Sequence, residues 1–346
     1  MVVPAKPISI DVALQGGGAH GAFTWGALDR LLEEEDLKIA ALSGASAGAM
    51  NAVVAAAGLM SGGPAEAKAT LHRFWSEVNE AARTAFPIFP LIEAFPGVLS
   101  AAGAWWSTLT GGMVNLRANP AQGRATQDML GEILTEVVDF EALRRGKGPQ
   151  LFISATNART GAARIFTREE MTPEVLLASA CLPGIFPPVS IDDADYWDGG
   201  YSANPPLLPL VRESPVSDLL LITINPLNHE TTPTDPEAIA ARINELTFNQ
   251  GLLREMRGLA LLKQELRAQP LLVPKGLMKA VRDLRFHEIH DEAHMSKLDQ
   301  DSKMMPSWPM MEELHDYGHT AADNWLGTHR KDLGLRSTMD LTGRYL

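Results

Sequence analysis

Short apolar segments alternate with helical patterns along the first two thirds of the chain. Residues 8–14 and 37–42 are apolar runs of strand length, and each precedes a stretch with helical spacing, at 22–35 and 47–57. Further runs typical of strands lie at 150–156, 163–167 and 218–225. Strands that alternate with helices usually pair in parallel, and the helices pack on the sheet. The pattern therefore predicts an α/β fold around a largely parallel central sheet.

The pattern changes near residue 225, where a segment rich in Pro, Thr and Asn is typical of a linker as far as residue 236. Beyond it, residues 237–269 place apolar side chains at helical spacing, and residues 312–326 form a second helical stretch. We therefore expect an α/β domain over residues 1–230 and a mainly helical C-terminal extension over residues 237–346. By default this extension packs against the domain of the same chain.

A run of small residues, Gly44-Ala45-Ser46-Ala47-Gly48, joins the second predicted strand to its helix. A serine on such a sharp turn has its hydroxyl pushed out of the backbone, and small neighbours let the strand and helix approach closely. The amino end of the helix also directs amide dipoles towards negative charge that develops there. The arrangement is a nucleophile elbow and predicts Ser46 as a catalytic nucleophile, with close helix–strand packing as the structural alternative.

Three consecutive glycines, Gly16, Gly17 and Gly18, follow the first predicted strand. Their uncovered N–H groups can cradle an oxyanion or a phosphate, although a tight turn that requires positive φ is the plainer interpretation. The loop also fits Gly-x-Gly-x-x-Gly through Gly21, but dinucleotide binding needs an acidic residue at the end of the next strand. Here the acidic cluster at 33–36 precedes that strand, which argues against a nucleotide cofactor.

A third element, Asp198-Gly199, follows a Pro-rich apolar stretch at 183–189. By itself an Asp-Gly pair is ordinary turn chemistry. The glycine loop, Ser46 and Asp198 in this order, however, resemble the patatin-like phospholipase family of lipid acyl hydrolases. The resemblance extends over residues 8–225 and includes the segments 155–157 and 178–183.

This resemblance implies a three-layer patatin-like fold and a Ser-Asp dyad in place of a triad. Ser46 would be the nucleophile, and Asp198 would be the base that takes its proton. The loop Gly16, Gly17 and Gly18 would form the oxyanion hole, with the amides of its last two glycines as the donors. No cofactor is implied.

Histidines supply two alternatives. The glycine loop carries His20 where many members of the family have arginine, so an ionic role is not expected of that side chain. The late histidines in 287–294 could complete a conventional triad, but this polar segment is more typical of a solvent-exposed helix face. Two histidine pairs at i, i+4 spacing lack the His-Glu-x-x-His signature and any cysteine cluster, so we expect no metal; the pairs are His290 with His294 and His315 with His319.

Residues 86–116 are apolar and aromatic, but prolines and glycines that disfavour a regular core element interrupt them. They are typical of an insertion near an active site. As a hypothesis, the insertion forms an acyl-binding wall or a lid that docks on lipid. Its aromatic side chains are then the expected substrate contacts: Phe89, Phe95, Trp105 and Trp106. Ordinary core packing or a dimer contact is an equal alternative.

Composition excludes several classes of protein. The 346 residues are 45% hydrophobic, which suffices for a large core, and disorder is not indicated. A net charge of −12 gives no basic footprint for nucleic acid and would repel anionic membranes, so any membrane contact must be apolar and local. The single cysteine, Cys181, suits a reducing compartment, and its apolar neighbours predict a buried, inert thiol.

The N-terminal segment shows no secretory signal. Two uncharged stretches, 39–65 and 95–116, are not predicted to span a membrane, because the first contains the elbow and the second is broken by Pro and Gly. We therefore expect a cytoplasmic protein, and peripheral contact with a membrane stays open.

Three functional classes remain. A hydrolase of lipid acyl esters, of the phospholipase A or lysophospholipase type, fits every element. An acyltransferase, or an esterase acting on non-phospholipid acyl or hydroxyalkanoate esters, would use the same acyl-enzyme. A non-catalytic module that binds a membrane or a partner is the third class. The sequence determines neither the head group nor the oligomeric state.

Overall fold

The computed structural model describes residues 7–85, 120–228, 231–269, 273–298, 302–303 and 306–346. The predicted insertion at 86–116, with Phe89, Phe95, Trp105 and Trp106, lies outside the described residues.

A single mixed sheet forms the centre of the described chain. Its strands are β1 (Ile8–Leu14), β2 (Leu37–Gly44), β3 (Gln150–Asn157), β4 (Ala163–Thr167), β5 (Val189–Ile191), β6 (Ala194–Asp198), β7 (Asp218–Ile222) and β8 (Arg285–Ile289). They are ordered β5-β6-β3-β2-β1-β7-β8, and β4 pairs with β3 off this path. The run from β3 to β8 is parallel, whereas β4, β5 and β6 are antiparallel to their neighbours. The prediction of a largely parallel sheet is confirmed.

Helices cover both faces of this sheet. They are α1 (Gly21–Leu31), α2 (Ala47–Gly62), α3 (Pro64–Ala85), α4 (Pro120–Val137), α5 (Phe140–Arg145), α6 (Pro173–Ser179), α7 (Leu208–Glu213), α8 (Pro236–Ala268), α9 (Leu277–Asp283), α10 (Glu292–Met295), α11 (Trp308–His329) and α12 (Leu341–Tyr345). One apolar core lies under α1, α2 and α11, and a second lies under α7 and α8. The result is the expected three-layer architecture.

Register along β3 determines how two distant parts of the chain meet. β2 pairs with the first half of β3, ending with Gly44 opposite Ile153. β6 pairs with the second half, with Asp198 opposite Ala155. Since β4 pairs with both halves along the other edge of β3, β2 and β6 must share one edge. Their carboxyl ends therefore face each other along β3, two residues apart in its register.

The C-terminal region contributes to the same sheet. The interpretation of 287–294 as a solvent-exposed helix face is wrong over its first half, because His287 lies in β8 and its side chain is fully buried. Its ring nitrogens lie 3.1 Å from Asp218 and 3.0 Å from the Thr338 hydroxyl, so burial leaves neither nitrogen unsatisfied. Polarity indicated exposure here, but long-range hydrogen bonds compensate for the loss of water.

Two glycines allow the helices α1 and α11 to cross closely. A Cβ at Gly26 would collide with the His315 carbonyl, and one at Gly318 would collide with the Phe23 carbonyl. The second predicted C-terminal helix is therefore packed on the first helix of the chain. Within the described ranges, none of the helices is both long and apolar enough to cross a bilayer.

Candidate active site

Ser46 occupies a strained turn between β2 and α2. Its φ of 52° and ψ of −126° are a backbone conformation that non-glycine residues rarely adopt. A Cβ at Gly44 would collide with the Gly48 backbone, and one at Gly48 would collide with the Leu14 carbonyl. The glycines therefore permit the close approach of strand and helix at this turn, and the strained serine has the backbone geometry that a nucleophile elbow requires.

The glycine loop lies directly against this turn. A Cβ at Gly16 would collide with the Ala45 carbonyl and lie 2.9 Å from the Ser46 Cβ, so only glycine fits there. The Gly16 N–H donates to Asn204 Oδ1 at 2.7 Å. The N–H groups of Gly17 and Gly18 donate to no other group in the part of the chain that the structure describes. They are the two loop donors that remain free to meet an oxyanion.

Asp198 is the last residue of β6 and is completely buried. Its Oδ1 accepts a hydrogen bond from the Gly200 N–H at 2.7 Å. Burial raises the pKa of this carboxyl to about 7, and the Gly200 N–H and the nearby Ser46 hydroxyl oppose part of the rise. The carboxyl is therefore a much stronger base than an exposed aspartate.

The Ser46 hydroxyl is close to this carboxyl but not well aligned with it. Its influence lowers the Asp198 pKa, yet among the described residues the buried Oδ2 of Asp198 has no hydrogen-bond partner of normal geometry. The two groups are therefore neighbours that do not form a well-aligned hydrogen bond in this state. Such contacts tighten when a substrate binds.

Ser179, which our sequence analysis did not single out, fixes the backbone of the elbow. Its fully buried hydroxyl, at the carboxyl end of α6, accepts the Ser46 N–H at 3.0 Å. The next residues lead to Cys181, whose carbonyl accepts the Asp198 N–H at 2.8 Å. One short segment therefore touches both sides of the site, and its appearance among the family-like segments was the available signal.

The thiol of Cys181 is buried, as predicted. Burial, followed by the nearby charge of Asp198, raises the pKa of this thiol to about 12. The sulfur lies 3.1 Å from the Pro187 carbonyl, to which the thiol donates. A protonated, enclosed thiol is unreactive.

Side-chain amides brace the glycine loop from behind. Gln15 Oε1 accepts the N–H groups of Ile224 and Asn225, each at 2.8 Å, and its Nε2 donates to Asn249 Oδ1 at 2.9 Å. Asn225 Nδ2 donates in turn to the Gly16 carbonyl at 2.9 Å. Gln15 adjoins the loop, but Asn225, which follows β7, and Asn249, in α8, are far from it in sequence, so local patterns gave no sign of them.

His20 is buried beside the loop, and its Nε2 lies 2.7 Å from the Ser302 hydroxyl. Burial, together with the charge of Lys303, lowers the pKa of His20 to about 3, so the ring is neutral. The cation near the loop is instead Lys303, whose Nζ donates to Asn225 Oδ1 at 2.7 Å.

None of the three late histidines pairs with Ser46 in the part of the chain that the structure describes. His287 is held by Asp218 and Thr338, and the side chains of His290 and His294 are about half exposed. No group of three or more His, Cys, Asp or Glu residues within the described ranges could hold a metal ion.

A basic cavity of about 600 Å³ lies near Arg285, at the amino end of β8. Because β8 and β2 run in the same direction, the amino end of β8 and the elbow at the carboxyl end of β2 lie at opposite ends of the strands. Arg285 is paired with Asp218 and Arg336 with Asp332, so these guanidinium groups are already neutralised. The cavity is not part of the Ser46 site.

The family model described as patatin-like phospholipase matches residues 12–211, which include the glycine loop, the elbow and Asp198. Among solved structures, VipD from Legionella pneumophila is similar with a TM-score of 0.37 and 14% sequence identity, over 90% of this chain and 67% of that one. No curated protein matches the sequence.

Proposed function

Because this chain belongs to the patatin-like phospholipase family and is therefore a lipid acyl hydrolase, we propose that Ser46 and Asp198 are its catalytic dyad. The observation that carries the proposal is the meeting of a strained serine with a buried carboxyl whose pKa is raised to about 7. The substrates that we propose are acyl esters of phospholipids or lysophospholipids.

In the first step, the Ser46 Oγ attacks the carbonyl carbon of the ester while Asp198 takes the hydroxyl proton. The carbonyl oxygen becomes an oxyanion, which the N–H groups of Gly17 and Gly18 stabilise. The tetrahedral intermediate then collapses, the bond from carbon to the alcohol oxygen breaks, and Asp198 returns the proton to the leaving alcohol. An acyl-enzyme on Ser46 remains.

In the second step, a water molecule attacks the acyl carbon and Asp198 takes one of its protons. The same N–H groups stabilise the second oxyanion. When this intermediate collapses, the bond to Ser46 Oγ breaks, the oxygen regains its proton from Asp198, and the fatty acid leaves. One water is consumed for each ester cleaved, and the enzyme is regenerated.

A carboxylate can serve as the base because of where it lies. An aspartate with its ordinary pKa would be too weak to help a hydroxyl lose its proton at neutral pH. Complete burial raises the pKa of Asp198, while the Gly200 N–H holds Oδ1 and leaves Oδ2 for the proton. The oxyanion donors lower the energy of the charge that the proton transfer creates.

Covalent labelling with a fluorophosphonate probe tests the dyad, with the modified peptide mapped by mass spectrometry. We expect labelling at Ser46, and a rate at least 100-fold lower in D198N, because general bases contribute about 10²- to 10⁴-fold. The matched control is D195N, which changes an exposed aspartate on the same strand.

Two results would overturn the proposal. One is labelling of a residue other than Ser46. The other is a D198N variant that labels as fast as D195N. Phospholipid and lysophospholipid substrates, assayed for released fatty acid with S46A as the blank, then test the substrate class.

A further inference from the structure

The ammonium group of Lys303 lies behind the glycine loop. Lys303 is partly buried. Its main chain packs on Gly18, where a Cβ would collide with the Lys303 carbonyl. Its Nζ donates to Asn225 Oδ1 at 2.7 Å, which is the one hydrogen bond that this group makes among the described residues. Partial burial of an ammonium group carries a desolvation cost, which its hydrogen bond to Asn225 offsets in part.

Asn225 links this ammonium to the backbone of the loop. Because its Oδ1 accepts from Lys303, its amide orientation is fixed, and Nδ2 donates to the Gly16 carbonyl at 2.9 Å. The Gly16 carbonyl and the Gly17 N–H belong to one peptide group. Hydrogen bonds in such a chain polarise one another, and a charged donor at its start strengthens each following bond.

We propose that Lys303 is a positioning residue, which acts through Asn225 to polarise the Gly16–Gly17 peptide group and so strengthens the Gly17 N–H as a donor to the oxyanion. This inference rests on the proposed function, because it assigns the Gly17 N–H to the oxyanion of that reaction.

The other titratable groups around Lys303 do not take this role. His20, which faces it across the loop, is neutral because its pKa is lowered to about 3. Glu245, on α8, attracts the ammonium but is itself bonded to Arg242 at 2.9 Å. Among these groups, Lys303 therefore supplies the positive charge that polarises the loop.

The K303M variant keeps most of the side-chain volume and removes only the ammonium. We expect kcat on a soluble short-chain ester to fall about tenfold with little change in KM, less than the roughly 100-fold or greater loss seen when a whole oxyanion donor is removed. The melting temperature should stay equal or rise, because the substitution removes a partly buried charge whose pKa burial lowers. K297M, at an exposed lysine of the same region, is the control and should match the wild type.

The pH dependence separates polarisation from support of the fold. Burial lowers the pKa of Lys303 to about 8. The ammonium is charged below this pH and neutral above it, so wild-type kcat should decline as the pH rises through about 8. K303M should lack that decline, which a purely structural role would not predict.

A double-mutant cycle with N225A tests the link itself. If Lys303 acts through Asn225, K303M/N225A should be no slower than N225A alone. The inference is overturned if the two losses multiply, if K303M keeps the wild-type kcat, or if it keeps the alkaline decline. The proposed function fails by a different result, in which S46A turns over the ester as fast as the wild type.

Discussion

Removing the charge of Asp198 should stabilise the protein while abolishing its chemistry. The carboxyl is completely buried, and Oδ2 has no hydrogen-bond partner among the described residues. In D198N, the remaining amide oxygen can still accept the Gly200 N–H. The variant therefore preserves the local turn and removes the ionisable group, which makes it a direct measure of what burial of the carboxylate costs.

The magnitude follows from the shift in pKa. A rise in pKa from the ordinary 3.8 to about 7 means that ionised Asp198 destabilises the native state by about 4 kcal/mol. Below pH 4 the carboxyl is mostly protonated in both states, so the penalty is nearly absent. As the pH rises from 4 to 7 the unfolded chain ionises while the native protein keeps its proton, so wild-type stability falls. Above pH 7 the penalty is complete.

The wild-type penalty is about 0.5 kcal/mol at pH 4 and about 4 kcal/mol at pH 8, so D198N should gain about 3.5–4 kcal/mol over the wild type between these pH values. An unpartnered N–H group on the introduced amide costs about 1–3 kcal/mol, but that cost is the same at both pH values and cancels in the gain. Urea unfolding at the two pH values measures the gain. D195N, with its exposed side chain, should show no gain of this size.

A gain below about 1 kcal/mol, or one equal to that of D195N, would refute the reasoning. It would mean that water reaches the carboxyl, and the argument for a strengthened base would fail with it.

Three further predictions use the same assays. D11N should show a pH-dependent gain in the free energy of unfolding, of the same sign as that of D198N, because burial raises the Asp11 pKa to about 7. Turnover should be unchanged, because the Asp11 carboxyl bonds Ser214 and no site residue; lost turnover would contradict this. S179A should cost about 1–3 kcal/mol in urea unfolding and slow probe labelling, because it leaves the Ser46 N–H without its acceptor; unchanged labelling would show that the bond is dispensable. Wild-type kcat/KM should rise with pH through about 7, as Asp198 loses its proton and becomes a base; a flat profile from pH 5 to pH 8 would exclude this titration.

Local patterns in the sequence were sufficient for the parts of the site that a few neighbouring residues define. The elbow around Ser46 and the loop at Gly16 depend on strand–turn–helix junctions in which only glycine fits, and such junctions are visible as short runs of small residues. The helix at 237–269 was equally visible, because its apolar positions repeat at helical spacing, and it is observed at Pro236–Ala268.

Long-range register and burial, which no local pattern contains, determined the rest. Asp198 faces Ser46 because β6 and β2 share one edge of β3, and its pKa rises because the assembled layers exclude water. His287 can be buried in a strand because the Asp218 carboxylate takes the place of water at one of its ring nitrogens. Lys303 reaches Asn225 across 78 residues of sequence. The sequence by itself determined which groups are chemically capable; the tertiary structure decided which of them meet, because hydrogen bonding and desolvation depend on neighbours in space.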